Sequence, residues 1–368
     1  MTSTGAPTVQ RCALVMAGGT GGHIFPGLAV AQALRDVGWR VHWLGGRGPT
    51  SMESQLVPPC GFAFEPIDFS GVRGKSVLTL ALLPMRLLRA CWQSLGVLRR
   101  VRPDVVVGLG GYITLPAGLM GALLGKPLLL HEQNSVAGMA NRMLARVATQ
   151  VFTAFPNVIA NAIWIGNPLR ASFCEVPLPA ARFAERSGPL RVLVLGGSLG
   201  ARALNDVVPR ALALVPADRR PTVLHQSGQT QIDALCANYA AAQVQAQLTP
   251  FIDDTAQAFA DADLVICRAG ASTVTEIAAV GAAAVFVPFP SAVDDHQTTN
   301  AKFLVDQRGG WLIQQADLTP ERLARLLEKA DRATLLASAV AARKMEKTGA
   351  TQHIVAACET LSARAIPP

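Results

Sequence analysis

The sequence is poor in charged and in aromatic residues. Charged side chains make up 16% and aromatic ones 5% of its 368 residues, whereas half of the chain is apolar. This composition argues against a coiled coil or a disordered chain and favours helices packed closely on parallel strands. The length exceeds what one compact core usually supports, so we expect two domains.

Cysteine pairs that could bridge a fold or hold zinc are missing too. The seven cysteines are scattered, and none forms a Cys-x-x-Cys pair. We therefore expect neither a disulfide framework nor a zinc site, and a reducing cytoplasm as the compartment. The polar first ten residues do not resemble a signal peptide. Glycines and Pro116 interrupt the uncharged run 105–125, which predicts strand, turn and helix instead of a membrane span.

Acidic residues are absent between Asp68 and Asp104, where seven arginines and lysines nearly account for the net charge of +8. Leucines and Trp92 alternate with these cations. One interpretation is a surface for anionic lipid, to which each basic residue contributes about 1 kcal/mol. The other is a solvated helix whose apolar face belongs to the core. Nucleic acid is not expected as a partner, because no series of stacking aromatics accompanies the charges.

Short apolar runs alternate with helical patterns along the whole chain, which predicts parallel-sheet α/β domains. The strands predicted in the first half are Cys12–Met16, Arg40–Leu44, Phe62–Ile67, Asp104–Gly108, Pro127–His131 and Gln150–Phe152. Those predicted in the second half are Arg191–Leu195, Thr222–Gln226, Gln247–Phe251, Leu264–Cys267 and Ala284–Val287. Residues 162–170 are the predicted link. Each half opens with a strand, a glycine turn and a helix, and the first helix is predicted at Pro26–Val37 because proline suits a first helical turn.

The glycine turns do not match the nucleotide motifs of other enzyme classes. The dinucleotide fingerprint fails at Ile24 in the first turn and fails again in the second, so we do not expect an NAD or FAD enzyme. Residues 71–76 and 121–126 are too short for a P-loop. Asp261-Ala-Asp263 precedes a predicted strand, at the wrong end for a ligand site, and we interpret it as the polar start of that strand.

Eight motifs stand in order along nearly the whole chain. They are Gly18-Gly-Thr-Gly-Gly-His-Ile-Phe-Pro26, Gly110-Gly-Tyr112, His131-Glu-Gln-Asn134, Gly166-Asn-Pro-Leu-Arg170, Gly196-Gly-Ser198, Phe251-Ile-Asp-Asp254, Cys267-Arg-Ala-Gly-Ala-Ser-Thr-Val-Thr-Glu276 and Asp295-His-Gln297. Each glycine turn alone is a weak signal. Together the motifs resemble the MurG family, the UDP-N-acetylglucosamine (UDP-GlcNAc) transferases that complete lipid II for peptidoglycan.

The resemblance implies the glycosyltransferase-B fold, with two Rossmann-like parallel-sheet domains that face a cleft. Residues 1–10 would be a disordered tail and 11–168 the acceptor- and membrane-binding domain. Residues 169–348 would bind UDP-GlcNAc. Residues 349–368, with a helix at about Thr351–Ala363, would return to the N-terminal domain.

For the donor, the resemblance implies that Glu276 accepts hydrogen bonds from both ribose hydroxyls. It also implies that Ser198 and Thr273 bind the diphosphate and that the backbone of Ile252 holds the uracil. The remaining UDP-GlcNAc-binding positions that it implies are Thr20, Gly21, Gly22, Asn134, Arg170, Ala271, Ser272, Val274, Thr275 and Gln297. The alternative for Glu276 is compensation of the helix dipole in a first turn. Leu199, Ser272 and His296 depart from residues that are frequent in the family, which affects the expected fine contacts only.

For the acceptor, lipid I, a pyrophosphate would lie on glycine turns, since glycine lets an anion approach backbone amides at a helix start. The implied acceptor-binding residues are Gly18, Gly19, Gly110, Gly111 and Tyr112, and the implied membrane-facing ones are Arg73, Lys75, Leu82, Leu83, Arg86 and Arg89. His23 is the candidate catalytic base, because histidine moves protons at neutral pH. Alternatively, His23 holds the turn or binds the acceptor phosphate.

The implied reaction inverts the anomeric centre and transfers GlcNAc to the 4-hydroxyl of MurNAc in undecaprenyl-pyrophosphoryl-MurNAc-pentapeptide. One in-line displacement achieves this without a cofactor or an obligatory metal. The enzyme would serve cell-wall biogenesis, cell shape and cell division as a peripheral protein at the cytoplasmic face of the bacterial inner membrane. Its partners would be UDP-GlcNAc, lipid I, the anionic membrane surface and other cell-wall synthesis proteins.

Three alternatives stay open at this point. A lipid-directed hexosyltransferase that makes glycolipids shares the fold but should lack the matched acceptor motifs. A UDP-GlcNAc 2-epimerase also shares it, yet needs acidic catalytic residues and no lipid-facing surface. A non-catalytic nucleotide-sugar-binding subunit would not need His23, Glu276 and Gln297 together.

Overall fold

The computed structural model describes residues 10–48, 51–69, 71, 82–197 and 200–364, without the side chains of Val293 and Arg364. The chain divides into two units. Met1–Leu169 and Gly349–Pro368 form the first unit, and Arg170–Thr348 forms the second. The predicted tail, apart from Gln10, lies outside the described residues, as do Arg73, Lys75, Ser198 and Leu199.

The first unit is built on a parallel sheet with the strand order β3-β2-β1-β4-β5-β6-β7. Its strands are β1 Cys12–Met16, β2 Arg40–Gly46, β3 Ala63–Ile67, β4 Val105–Gly108, β5 Leu128–Glu132, β6 Gln150–Thr153 and β7 Ile163–Trp164. The boundary between the two units falls inside the predicted link 162–170, and the link also contains the unpredicted strand β7, which pairs with β6 at the sheet edge. Two residues are too few to show the alternation that marks a strand.

The second unit repeats this plan with the strand order β10-β9-β8-β11-β12-β13. Its strands, all parallel, are β8 Arg191–Leu195, β9 Thr222–Gln226, β10 Gln247–Thr249, β11 Leu264–Cys267, β12 Ala284–Phe286 and β13 Trp311–Leu312. The sequence does not predict the two-residue strand β13. In both sheets the order reverses beside the first strand, which is where ligands bind at the carboxyl ends of strands in such folds.

Helices connect the strands and cover the sheets. In chain order they are α1 Gly21–Asp36, α2 Met52–Leu56, α3 Leu83–Val101, α4 Thr114–Leu123, α5 Met139–Leu144, α6 Pro179–Ala184, α7 Arg202–Leu214, α8 Ile232–Ala242, α9 Thr255–Asp261, α10 Ala271–Val280, α11 His296–Val305, α12 Pro320–Lys329, α13 Arg332–Arg343 and α14 Ala350–Arg364. Among the described residues, every helix is too short or too polar to cross a bilayer.

The first unit has a core on each face of its sheet. Alternate residues of β1 point to opposite faces, so Ala13 and Val15 join the α1 side while Leu14 and Met16 join the α3 side. The last helix, α14, packs on α1. Its buried residues Ala350, Ile354, Cys358 and Leu361 complete the α1-side core.

Candidate functional site

Two glycine turns of the first unit lie at the carboxyl ends of β1 and β4 and press against each other. Gly111 has a φ of +87°, and a Cβ there would collide with the carbonyl oxygen of Gly18. Gly19, with a φ of +89°, also needs the left-handed region. The structure thus brings Gly18 and Gly19 together with Gly110 and Gly111, as the acceptor-binding assignment requires.

Helix α1 begins at Gly21, so the prediction of its start at Pro26 is wrong. Pro26 lies inside the helix instead of in its first turn. Thr20 is the N-cap residue in an extended conformation; its side chain makes no capping bond, and the first turn carries no acidic residue. The amide groups of Gly21 and Gly22 therefore stand at an uncapped helix start, which is a ready site for an anion. These donor-assigned residues belong to the same unit as the acceptor turns.

A buried carboxylate stabilises the first glycine turn. Glu53 is fully buried, and it accepts hydrogen bonds from the backbone N–H of Gly19 at 3.3 Å and of Gly46 at 3.1 Å. Tyr112 packs over Gly19, and burial together with the nearby Glu53 raises the pKa of its phenol. Sequence reasoning missed Glu53, because a lone acidic residue in a short helix carries no local signal.

His23 lies in the first turn of α1, and Nδ1 of its ring lies 2.9 Å from Oε1 of Gln133. Gln133 is buried in the His131–Asn134 motif at the end of β5. Next to it, the backbone N–H of Asn134 donates to the buried carboxylate of Glu132 at 2.9 Å. Asn134 therefore lies in the first unit, one residue from the partner of His23.

The second unit has its glycine turn after β8. Gln226 holds it from β9: Oε1 accepts from the Gly196 N–H at 3.2 Å, and Nε2 donates to the Gly197 carbonyl at 3.0 Å. Helix α7 begins at Arg202. Sequence reasoning missed Gln226, which reads locally as the last residue of a strand.

Helix α10 offers a second uncapped start. Its N-cap residue is Gly270, which has no side chain to occupy the first amides, and its first turn has no acidic residue. Ala271, Ser272 and Thr273 form that turn, consistent with a diphosphate site. The side chains of Val274 and Thr275 make contacts inside the second unit. Val274 is fully buried in the core, and the Thr275 hydroxyl bonds back to the Ala271 and Ser272 carbonyls at 3.0 Å.

Glu276 lies one turn further along α10 and is partly exposed. Burial raises the pKa of its carboxyl to about 7, and the charge of Arg170 opposes that shift. Because Glu276 is the sixth residue of the helix, it lies beyond the first turn, where a dipole-compensating acid would act. Arg170 also donates to the Thr255 hydroxyl at 2.7 Å. A ligand that donates hydrogen bonds to this carboxyl group would stabilise its charged form.

Gln297 is already partly engaged. Its Oε1 accepts from the backbone N–H of Phe289 at 2.9 Å and of Ala269 at 3.3 Å, close to the start of α10. These two bonds fix the orientation of the side-chain amide. His296 begins α11 next to it. Ile252 is partly exposed in the loop after β10, where its backbone can meet a ligand.

Asp263, the second carboxylate of the Asp261-Ala-Asp263 motif, has a structural role. Asp263 is fully buried, and it accepts from Arg186 at 2.7 Å, from Arg332 at 3.2 Å and from the Arg191 N–H at 2.9 Å. These bonds occupy its oxygens, in agreement with a polar strand start. Within the part of the chain that the structure describes, no three His, Cys, Asp or Glu side chains group together as metal ligands.

An apolar face lies open at the start of α3. It consists of Leu82, Met85, Leu88 and Trp92, of which Trp92 is 76% exposed. Arg86 and Arg89 lie among these residues, although Arg89 donates to Asp68 at 2.8 Å and so shares its charge. Leu83 is partly buried.

Neighbouring helices carry further exposed apolar side chains that sequence reasoning missed. Helix α4 packs on α3 and exposes Leu123, and α5 packs on α4 and exposes Met139 and Met143. The sequences of α4 and α5 are typical of core helices, because they contain no cluster of charged residues.

Comparisons with known proteins agree over the whole chain. Residues 13–153 match the glycosyltransferase family 28 N-terminal domain, and residues 191–354 match the glycosyltransferase family 28 C-terminal domain. The chain is 72% identical over 98% of its length to a UDP-N-acetylglucosamine--N-acetylmuramyl-(pentapeptide) pyrophosphoryl-undecaprenol N-acetylglucosamine transferase of Polaromonas sp. strain JS666, of which the match covers 93%. It is 73% identical over 94% of its length to the protein of that name from Albidiferax ferrireducens, of which 90% is covered. The crystal structure of Acinetobacter baumannii MurG superimposes with a TM-score of 0.84 at 42% identity, over 95% of this chain and 99% of that one.

Proposed function

Since the chain belongs to the MurG family, we propose that it transfers N-acetylglucosamine from UDP-GlcNAc to lipid I and so forms lipid II for peptidoglycan synthesis. The observation that carries this proposal is the likeness over nearly the full chain to relatives that bear this activity in their names. The fold agrees, because the two parallel-sheet α/β units have the glycosyltransferase-B architecture.

On the acceptor side, we assign the pyrophosphate of lipid I to the two glycine turns. The uncapped start of α1 and the close contact of Gly111 with Gly18 support this assignment. His23 would take the proton from the 4-hydroxyl of MurNAc as that oxygen attacks C1 of the donor. The place of His23 in the first turn of α1, next to the glycine turn assigned to the pyrophosphate, supports this role.

On the donor side, we assign the diphosphate to the start of α10, the ribose to Glu276 and the sugar hydroxyls to Gln297. The departing UDP carries negative charge, which the free amides of Ala271, Ser272 and Thr273 can stabilise. This arrangement requires no metal.

We further propose that the chain binds the cytoplasmic face of the inner membrane through the apolar face on α3, with Arg86 as an exposed cation. The acceptor carries a polyprenyl chain, so a docked surface would bring the glycine turns to the substrate. Anionic lipid would strengthen the contact by attracting the cations.

The decisive experiment incubates the purified protein with UDP-GlcNAc and a short-chain analogue of lipid I, with and without EDTA. We expect the disaccharide product in both cases, and loss of most turnover in His23→Ala with its fold intact. Glycosylation of a different lipid acceptor, epimerisation of the donor, or binding without transfer would each contradict the proposal.

A further inference from the structure

Gln133 joins two histidines in a chain of hydrogen bonds that ends on the backbone. Its Oε1 lies 2.9 Å from Nδ1 of His23, and its Nε2 lies 3.1 Å from Nδ1 of His131. At the far end, Nε2 of His131 lies 2.8 Å from the carbonyl oxygen of Gly166. Gln133 and His131 are both fully buried, so water does not compete for the bond between them.

The Gly166 carbonyl group, at the end of this series of hydrogen bonds, determines which ring nitrogen carries each proton. A carbonyl oxygen only accepts, so Nε2 of His131 must carry the proton. Burial lowers the pKa of His131 to about 4, which leaves the ring neutral with that single proton. Its Nδ1 is therefore an acceptor, and only the amide nitrogen of Gln133 can face it.

The orientation of Gln133 then decides the state of His23. With its nitrogen on His131, Gln133 presents its oxygen to Nδ1 of His23, and this oxygen can only accept. Nδ1 of His23 therefore carries the proton, and Nε2 holds the lone pair. The reversed amide would place an oxygen against the lone pair of His131, and a buried polar group without a partner is unfavourable.

The turn after β4 leaves room for this arrangement. Gly110 has a φ of +93°, and a Cβ there would come within 2.9 Å of Nδ1 of His23 and 3.3 Å of Oε1 of Gln133. A larger residue would push against the hydrogen bond that orients the imidazole. Glycine at this position thus serves the bond as well as the turn.

We propose that Gln133 is a positioning residue that, held by His131 and the Gly166 carbonyl, fixes His23 in the tautomer whose Nε2 can accept a proton. The inference rests on the proposed role of His23 as the base. In catalytic histidines the tautomer is set in this way by the partner of the other ring nitrogen, and the wrong tautomer cannot act as the base.

The tautomer can be read directly from ¹⁵N chemical shifts of the protein labelled at histidine, with the His23 signals assigned from a His23→Gln spectrum. We expect Nδ1 protonated and Nε2 unprotonated in the wild type. In Gln133→Met, which keeps the length but has no donor and only a weakly accepting sulfur, we expect the His23 proton to shift toward Nε2. Turnover should fall by about 100-fold with the KM for UDP-GlcNAc little changed, since a general base contributes on this order.

Two further variants guard against a trivial loss of structure. Gln133→Glu keeps an oxygen for Nδ1 of His23, and one added proton, on the carboxyl group or on His131, restores the hydrogen bond between residues 133 and 131. This variant should therefore retain the wild-type tautomer and recover part of the turnover. Gln32→Met makes the same exchange on the exposed face of α1 and should change neither readout. Equal losses in Gln133→Glu and Gln133→Met would overturn the proposal.

The outcomes separate this inference from the proposed function. A wild-type His23 protonated at Nε2 overturns the positioning role, even if His23→Ala is inactive. Nδ1 protonation in the wild type that is lost in Gln133→Met supports the positioning role, even if His23→Ala keeps its turnover and the base assignment fails.

Discussion

Replacement of Glu276 by glutamine should stabilise the protein while it weakens donor binding. The pKa of the carboxyl lies at about 7 instead of its ordinary 4.5 because burial disfavours the charge. The difference corresponds to at most about 3 kcal/mol of unfolding free energy, less what solvent contact of the partly exposed side chain recovers. An uncharged amide of the same shape escapes this penalty.

The pH window follows from the direction of the shift. Between the ordinary pKa and the raised one, the unfolded chain loses the proton and the folded chain keeps it, so stability falls as pH rises through this window and then levels off. The advantage of Glu276→Gln in urea denaturation should therefore be greatest at about pH 8 and drop below about 1 kcal/mol at about pH 5. Glu185→Gln, at an exposed carboxylate of the second unit, should show no such dependence.

Donor binding should move in the opposite direction. Two ribose hydroxyls that donate to a carboxylate lose the charge-assisted part of both bonds, so we expect UDP-GlcNAc affinity to fall about 10- to 100-fold. Wild-type affinity should weaken below about pH 7 as Glu276 becomes protonated, and the variant should not follow this trend. Calorimetric titration of the wild type and of the variant with UDP-GlcNAc across this pH range measures the loss of affinity and its pH dependence. Unchanged stability at about pH 8, or unchanged donor affinity, would refute the reasoning.

Three further perturbations test other parts of the molecule. Trp92→Gln removes the most exposed side chain of the apolar face and should weaken binding to anionic vesicles, measured by flotation, by about 10-fold. If the wild type bound neutral vesicles at high salt as tightly as anionic ones, electrostatic docking would be contradicted. Asp263→Asn should lower the free energy of unfolding by about 3 kcal/mol, because it removes the charge of a buried carboxylate that pairs with two arginines. Asp261→Asn should change neither stability nor turnover, and a metal-dependent loss of turnover in this variant would indicate a metal site. Gly111→Ala should lower the melting temperature and turnover together, because its Cβ collides with Gly18. The control Gly96→Ala, whose Cβ meets no described atom within 4 Å, should stabilise α3 by about 0.5–1 kcal/mol. A fully active Gly111→Ala would contradict the close contact of the turns.

The strands were the most predictable part of the fold. Runs such as Arg191–Leu195 are apolar, β-branched in part and bounded by glycine, and their bounds match the structure. The edge strands Ile163–Trp164 and Trp311–Leu312 are defined only by their neighbours in the sheet. The start of α1 was misplaced because proline favours a first turn, whereas the chain tolerates Pro26 inside the helix.

For the candidate site, the sequence predicted residues that stand in glycine turns and at helix starts, since those motifs are local. It did not predict Glu53 or Gln133, whose importance comes from partners 34 and 110 residues away. It gives no sign that the Val274 side chain is buried in the core or that the Thr275 hydroxyl bonds back to its own helix. Which side of a helix faces a ligand depends on tertiary packing.

The packing of α14 on α1 bears on how the chain folds during synthesis. The first unit is discontinuous in sequence, because its core needs Ile354, Cys358 and Leu361, which follow the whole second unit along the chain. The second unit is continuous and can fold as soon as it emerges. A nascent chain that has been synthesised only as far as Leu169 should therefore expose the apolar side of α1 and need protection. A truncation before α14 should aggregate although every proposed site residue is present.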